Sequence, residues 1–160
     1  EFEMWGIEVT MLYHQALFNS MHQYPWSMEP ISKYVWECFD DRLKEKLPDD
    51  VVRELNCINN TEFGVNMYIL SNQNKAFGAS SILYDNVLKN FANVHGTSIY
   101  VLPSSVHEVM LVPDNEDTDP AFLKGLLEEG NRTSVGLIDL LSDEIYYFDN
   151  KTDNLTIYNL

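Results

Sequence analysis

The chain has 160 residues, of which 45% are hydrophobic, 12% aromatic and 22% charged. This composition is ordinary for a globular protein and excludes disordered, collagen-like and low-complexity classes. Its 25 acidic and 10 basic residues give a net charge of −15, and no apolar run approaches the roughly 20 residues that a membrane-spanning helix needs.

The acidic excess extends along the whole chain, because acids outnumber bases both in residues 1–62 and in residues 63–160. Neither part offers the basic surface that contact with phosphate backbones requires, so we expect no nucleic-acid partner. Anionic membrane surfaces are disfavoured for the same reason, and we expect no membrane partner. The charge favours solubility first, and a basic partner or a cation second.

The first third of the chain has helical periodicity. Apolar residues within 9–17 follow the spacing of an amphipathic helix, which Pro25 ends. Similar spacing predicts a second helix over residues 28–39 and a third over residues 51–58. A polar linker then follows at residues 59–62.

The apolar period changes after this linker. Alternation over residues 65–69 predicts a strand, and residues 76–83 read as its return strand, although Gly78 weakens it. A helix carrying the apolar residues within 87–92 follows, with Asp85 expected as its N-cap and Gly96 as its C-cap glycine.

Two runs, residues 99–102 and 109–112, are apolar on both faces and therefore predict central strands. Asp119 followed by Pro120 is typical of a helix start. Residues 144–148 and 155–158 predict a final hairpin.

Together these elements predict an α+β fold. A helical N-terminal segment, residues 1–62, precedes an α+β sheet domain, residues 63–160, and the two are expected to form one compact unit. The order ββαββαββ with short turns predicts a mainly antiparallel sheet with helices packed on it.

The most reactive stretch contains Ser104, Ser105, His107 and Glu108. A serine near a histidine is typical of hydrolases. If a strand starts at Val106, however, alternation places the side chains of His107 and Glu108 on opposite faces. Both serines are also common turn residues. We expect a structural turn here; the alternative is a hydrolytic or metal-assisted enzyme centred on His107 with Glu108 or Ser105.

Metal signatures are incomplete. The helical zinc motif needs a second histidine four residues after His107, where the chain has Leu111. The acidic run Asp114, Glu116, Asp117 and Asp119 raises a calcium site, but an EF-hand loop needs glycine at position six, which here is Asp119. We expect a solvated turn, with a loose calcium site as the alternative, and we predict no cofactor because the glycines are scattered.

Three adjacent aromatic residues, Tyr146, Tyr147 and Phe148, lie on a predicted strand. At least one is therefore expected to face away from the core, or to be covered by a partner protein or a missing N-terminal segment. This is the one sequence feature that points to an interface.

The two cysteines, Cys38 and Cys57, cannot form a disulfide framework and are expected to be reduced thiols. The chain starts without a methionine and without a basic, apolar leader, so we treat it as a fragment or a processed product. Both observations favour a cytoplasmic location.

The chain carries a series of short motifs, which in chain order are Leu12-Tyr13, Ala16, Asn19-Ser20, Met28-Glu29, Met67-Tyr68-Ile69-Leu70-Ser71-Asn72, Gly78-Ala79, Leu83-Tyr84, Val101-Leu102-Pro103-Ser104-Ser105-Val106-His107-Glu108-Val109, Asp117-Thr118-Asp119-Pro120, Leu141-Ser142-Asp143 and Tyr146-Tyr147. With these motifs the chain resembles an uncharacterised bacterial domain family of unknown function that is found mostly in gut clostridia. The chain is similar to the C-terminal portion of that family over residues 5–149, and the resemblance implies an intracellular bacterial protein, with no catalytic residue to carry over.

The sequence thus favours a non-catalytic binding or regulatory module that acts through protein contacts. The incomplete catalytic sets, the acidic composition and the surplus of aromatic residues support this expectation over an enzyme.

Overall fold

The computed structural model describes residues 6–33, 48 and 66–160. Helices alternate with pairs of strands along these residues, which gives an α+β fold, as the sequence predicts. The elements in chain order are α1 (Val9–Gln23), β1 (Trp26–Pro30), β2 (Tyr68–Asn72), a 3₁₀ helix (Gly78–Leu83), α2 (Val87–His95), β3 (Ile99–Leu102), β4 (Val109–Pro113), α3 (Pro120–Ser134), β5 (Tyr146–Asp149) and β6 (Asn154–Ile157).

The six described strands form one antiparallel sheet in the order β1-β2-β4-β3-β5-β6. Strands β3 and β4 lie at its centre, where Val101 pairs with Leu111 and Tyr100 with Val112. All four residues of β3 are buried. The prediction of two central strands from apolar runs is therefore confirmed.

Both faces of the sheet are covered, which divides the core into two clusters. The first cluster lies under the 3₁₀ helix and α2, and Leu17 and Met21 of α1 pack against it; its buried members are Leu70, Ala79, Tyr84, Val87, Leu88, Phe91, Ala92, Ile99, Val101, Val109, Leu111 and Phe148. The second cluster lies under α3; its buried members are Met67, Tyr100, Leu102, Val112, Leu123, Leu127 and Ile145.

The ends of α2 and α3 show which capping signals the sequence carries. The Asp119 carboxylate accepts a hydrogen bond from the backbone N–H of Ala121 at 2.9 Å, and Pro120 opens α3, as predicted. Gly96 ends α2 with φ of 70°, also as predicted. The predicted N-cap of α2 is wrong: Asn86, not Asp85, holds that position, with φ of 61° and no side-chain cap.

The N-terminal segment contributes a strand that the periodicity misassigned to the second helix. Residues 26–30 pair antiparallel with β2, so that Met28 lies opposite Leu70. Residues 31–33 are helical. Residues 26–30 are extended and not helical because they pair with β2, which has β4 as its neighbour on the other side. The remainder of the predicted second helix, the third helix and the linker lie outside the described residues.

The predicted return strand over residues 76–83 is also wrong, because most of this segment forms the 3₁₀ helix. It folds back across β2: the Ser81 hydroxyl donates to the Ser71 carbonyl at 3.1 Å, and the Ala79 N–H donates to the Val106 carbonyl at 3.2 Å. None of the described helices is long and apolar enough to cross a membrane.

Candidate functional site

The loop that joins β3 to β4 contains the reactive residues singled out in the sequence. Strand β4 begins only at Val109, so the strand alternation expected to separate His107 from Glu108 does not apply. The Ser105 hydroxyl donates to the Glu108 Oε1 atom at 2.8 Å and accepts the N–H groups of His107 at 3.1 Å and Glu108 at 3.4 Å. A hydroxyl has one hydrogen and two lone pairs, so Ser105 is fully engaged as a turn-forming group.

The His107 imidazole is bound on both sides by other partners. Its Nδ1 atom accepts the backbone N–H of Phe77 at 3.1 Å, and its Nε2 atom lies 3.5 Å from the Asp139 Oδ1 atom. The neutral ring therefore carries its hydrogen on Nε2. In these contacts neither nitrogen takes a hydrogen from Ser105, whereas nucleophilic catalysis requires a base bonded to the serine hydroxyl.

Ser104 has a different role in the same loop. Its hydroxyl donates to the Asn131 Oδ1 atom at 2.7 Å, and the Asn131 amide donates in turn to the Ser142 carbonyl at 3.0 Å and the Asp143 Oδ1 atom at 2.7 Å. Asn131 is itself buried. This network fixes the loop to α3.

The carboxylates of the acidic run at residues 114–119 do not share one site, because Asp114 and Asp119 are engaged in different hydrogen bonds. The Asp114 Oδ2 atom accepts the Tyr147 hydroxyl at 2.6 Å, Asp119 caps α3, and Glu116 and Asp117 are exposed in a turn. Within residues 6–33, 48 and 66–160, no three His, Cys, Asp or Glu side chains converge as metal ligands do.

Each of the three adjacent aromatic residues of β5 packs against one of the two core clusters. Alternation along β5 places Tyr146 and Phe148 on the first cluster and Tyr147 on the second, so both faces use them. The expectation that one faces away from the core is wrong, because the sheet is covered on both sides. Burial raises the pKa of Tyr147, and its hydrogen bond to Asp114 raises it further.

A cavity of about 360 Å³ lies between the end of α1, the turn after β2 and the 3₁₀ helix. We call it the amide pocket. The described residues that line it are all uncharged: Ser20, Tyr24, Asn72, Asn74, Ala76, Phe77, Ser80 and Tyr84. The volume lies in the range typical of small-ligand sites, roughly 300 to 1,000 Å³.

The wall of the amide pocket is built by a buried asparagine. The Asn72 side chain donates to the Ala76 carbonyl at 2.8 Å and accepts the N–H groups of Asn74 at 3.0 Å and Ala76 at 3.4 Å. Tyr84 is also a lining residue, and its hydroxyl donates to the Tyr24 carbonyl at 3.2 Å, which ties the end of the 3₁₀ helix to the end of α1. These bonds shape the pocket independently of any ligand.

Phe77 lies at the mouth of the amide pocket in a costly conformation. Its backbone is left-handed, with φ of 54° and ψ of 27°, and its side chain is 70% exposed. Such a conformation costs a non-glycine residue about 1–2 kcal/mol. The His107 ring holds Phe77 in place through the Nδ1 hydrogen bond and a ring contact of 5.3 Å.

Gly78 provides the close approach that makes this arrangement possible. A Cβ atom there would lie 2.5 Å from the Asn72 nitrogen, 2.7 Å from the His107 carbonyl oxygen and closer still to the Ser71 hydroxyl. Glycine is therefore required where the turn, β2 and the β3–β4 loop meet.

The residues that meet here include the motifs on which the family resemblance depends, and a family model matches residues 1–150. The chain belongs to DUF5688, a family of unknown function. The resemblance to a family of unknown function is thus confirmed. Searches of curated proteins and of solved structures returned no match.

Sequence reasoning missed the amide pocket of this DUF5688 chain. Its polar residues, such as Ser20, Asn74 and Ser80, are ordinary helix-end and turn residues with no diagnostic spacing. A usable signal was Phe77 beside Gly78, because a bulky aromatic residue is unusual in a polar turn. The sequence did single out His107, which the structure places behind Phe77.

Proposed function

We propose that this DUF5688 chain is a non-catalytic binding module that acts through protein contacts, with the amide pocket as its contact site. The observation that carries the proposal is Phe77. Its backbone is left-handed, which lowers the stability of the fold, and its aromatic ring is exposed. Backbone outliers of this kind are concentrated at functional sites. Exposed aromatic side chains are also favoured anchors in protein interfaces.

The non-catalytic part of the proposal is supported by the contacts of Ser105 and His107, which occupy the serine hydroxyl and both ring nitrogens. The Ser105 hydroxyl is occupied by Glu108 and by two backbone N–H groups. The His107 ring is occupied by Phe77 and Asp139. These groups organise the loop behind the pocket, which is a structural use of residue types that also serve in enzymes.

The charge of the chain supports a protein partner over a polyanion. At a net charge of −15 the chain repels phosphate backbones and anionic lipid headgroups at long range. We therefore propose a partner that is neither a nucleic acid nor a membrane. Steering by this charge favours a partner whose own surface is basic.

The proposal includes a bacterial, cytoplasmic location. The cytoplasmic location is supported by the sequence around the two cysteines, which lie in apolar helical patterns typical of buried free thiols and do not form a disulfide framework. Labelling of Cys38 and Cys57 with a maleimide in freshly lysed cells tests it. We expect both thiols to react after denaturation without reductant, and a disulfide at either position would contradict the location.

The contact site is tested by site-specific photo-crosslinking. Phe77 is replaced with p-benzoylphenylalanine, which keeps an aromatic ring at the pocket mouth, and Phe122, an exposed phenylalanine of α3, receives the same replacement as the matched control. We expect a discrete crosslinked protein from position 77 and not from position 122.

The crosslinked protein must then pass a binding measurement with purified components. We expect Phe77→Ala to weaken its binding at least tenfold and Phe122→Ala to leave it unchanged, because interface aromatic anchors commonly contribute 2 kcal/mol or more. Equal binding by both variants would overturn the amide pocket as the contact site. Turnover of the partner by the wild-type chain that is lost in Ser105→Ala would overturn the non-catalytic role.

A further inference from the structure

We propose that the amide pocket takes one chemical group, the uncharged primary amide of an asparagine or glutamine side chain on the partner. The inference rests on the proposed function and specifies what enters the site. Three properties of the pocket carry it: the described part of its lining has no charge, some of its polar groups have no partner among the described residues, and Phe77 offers a flat aromatic surface.

The lining excludes charged groups from the pocket. None of the eight lining residues that the structure describes carries a formal charge at pH 7. The one charged residue of the turn, Lys75, is not part of the lining, and its Nζ atom lies 3.2 Å from the Glu29 Oε1 atom. A carboxylate or ammonium group entering the pocket would lose hydration without gaining a counter-charge, which is strongly unfavourable.

The lining also disfavours a purely apolar group. The Ser20 hydroxyl, the Tyr24 hydroxyl and the Asn74 side-chain amide have no hydrogen-bond partner among the residues that the structure describes. Tyr24 and Asn74 are exposed and Ser20 is partly exposed, so these groups are open to solvent in the free chain. An apolar ligand would displace that solvent and leave them unpaired, at about 1–3 kcal/mol for each group that becomes buried.

A primary amide meets both conditions. It offers a carbonyl acceptor and an N–H₂ donor in one plane, which is the complement of the Asn74 side chain and of hydroxyls that both donate and accept. The Asn74 side chain is free for this because the turn uses its backbone N–H, bonded to Asn72. The exposed ring of Phe77 gives the amide a flat surface to pack on.

The experiment uses blocked single residues as probes and records backbone amide NMR spectra of the full chain. The probes are the Nα-acetyl N-methylamides of glutamine, glutamate, lysine and leucine, which share one backbone and differ in the side-chain head. N-acetylglucosamine is included because it carries an amide on a sugar. We expect the glutamine probe to shift signals of Tyr24, Asn74 and Phe77, with a Kd at least tenfold lower than for the other probes.

Asn74→Asp and Asn93→Asp provide the matched pair of variants. Both exchange an exposed amide for a carboxylate, but Asn93 lies on α2 outside the pocket lining. We expect Asn74→Asp to lose at least tenfold in affinity for the glutamine probe and Asn93→Asp to bind it as the wild type does. Equal loss in both variants would overturn the role of Asn74.

The outcomes separate this inference from the proposed function. Equal binding of the glutamine and glutamate probes, tighter binding of the leucine probe, or no glutamine binding overturns the amide inference, whereas the crosslinking at position 77 still decides the function. Tighter binding of N-acetylglucosamine than of the glutamine probe overturns a side-chain ligand in favour of a sugar. A glutamine probe that binds in the absence of any crosslinked partner supports the amide chemistry and overturns the protein partner.

Discussion

Phe77 and Gly78 are adjacent residues with opposite backbone demands. Phe77 has φ of 54°, a value that suits glycine, and Gly78 is required for the absence of its side chain rather than for a positive φ. The His107 ring contacts Phe77, and the His107 carbonyl oxygen occupies the space that a Cβ atom on Gly78 would need. His107 therefore fixes the turn on its inner side, and the aromatic side chain of Phe77 remains exposed to solvent.

Replacement of Phe77 by glycine is expected to raise the free energy of unfolding. Glycine relieves the left-handed strain, and the 70% exposed ring contributes little burial, so we expect a gain of up to about 1 kcal/mol. Phe122→Gly, in α3, is expected to lose about 0.5–1 kcal/mol. Urea denaturation measures both. A loss above about 1 kcal/mol for Phe77→Gly would show that Phe77 stabilises the fold instead of serving a contact site.

Gly78→Ala is expected to destabilise the chain by about 1–3 kcal/mol, because two of the atoms that meet the new Cβ are backbone atoms that cannot move away cheaply. Gly125 provides the control: it lies in α3, and apart from its chain neighbours and the backbone of its own helix no described atom lies within 4 Å of its added Cβ. Gly125→Ala is expected to stabilise by about 0.5–1 kcal/mol. Thermal unfolding should therefore shift in opposite directions, and a neutral Gly78→Ala would refute the close approach.

Helix α3 is the element that connects the polar loops around the sheet. Its buried face contributes Leu123 and Leu127 to the second cluster, and its last turns contribute Asn131 to the loops at Ser104 and Asp143. A buried amide that donates and accepts at three places fixes the relative position of those loops.

Asn131→Ala is expected to cost about 1–3 kcal/mol, because it leaves the buried Ser104 hydroxyl without its acceptor. Asn93→Ala is the matched change on α2, where the asparagine is exposed; it should stay within about 0.5 kcal/mol of wild type. Chemical denaturation of both variants gives the comparison. Equal effects would mean that the network contributes no net stability.

The same elements show what the sequence could predict. Helix α3 and the central strands were predictable because their signals are local: a capped proline start and apolar runs that face two cores. Strand β1 was not, since its conformation depends on pairing with β2, which lies some forty residues later in the chain. The 3₁₀ helix was not, since Gly78 is read as a weak strand residue until the contacts with β2 and His107 are known.

The amide pocket was unpredictable for a related reason. Ser20 comes from α1, Asn74 from a turn and Ser80 from the 3₁₀ helix, so only the fold brings them together. His107 was visible as a reactive residue type, but its partner Phe77 lies 30 residues earlier. Residue chemistry was readable from the sequence, whereas the pairing that assigns it a structural use was not.

At the scale of the whole molecule, carboxylates and a partly buried histidine have opposite effects on the free energy of unfolding as the pH falls. Protonation of carboxylates reduces the net charge of −15 and with it the self-repulsion of the folded chain. His95 acts in the other direction. Its ring packs against Phe91, with centroids 4.4 Å apart, and Tyr68, at 5.1 Å, and burial lowers its pKa below the ordinary value of 6.5.

The sign of the His95 contribution follows from proton binding. Below about pH 6.5 the unfolded chain binds a proton at His95 that the folded chain still refuses. This contribution to the free energy of unfolding is therefore complete above pH 6.5 and is lost progressively as the pH falls toward the lowered pKa of the folded state.

We expect His95→Gln to remove this loss, so that its stability falls less than that of the wild type between pH 7.5 and 5.5. Asn93→Gln, which changes an exposed residue of α2 that does not titrate, should keep the wild-type dependence. Urea denaturation at these pH values gives the slopes; because self-repulsion is common to all three chains, an unchanged slope in His95→Gln would show that His95 takes up its proton equally in the folded and unfolded states.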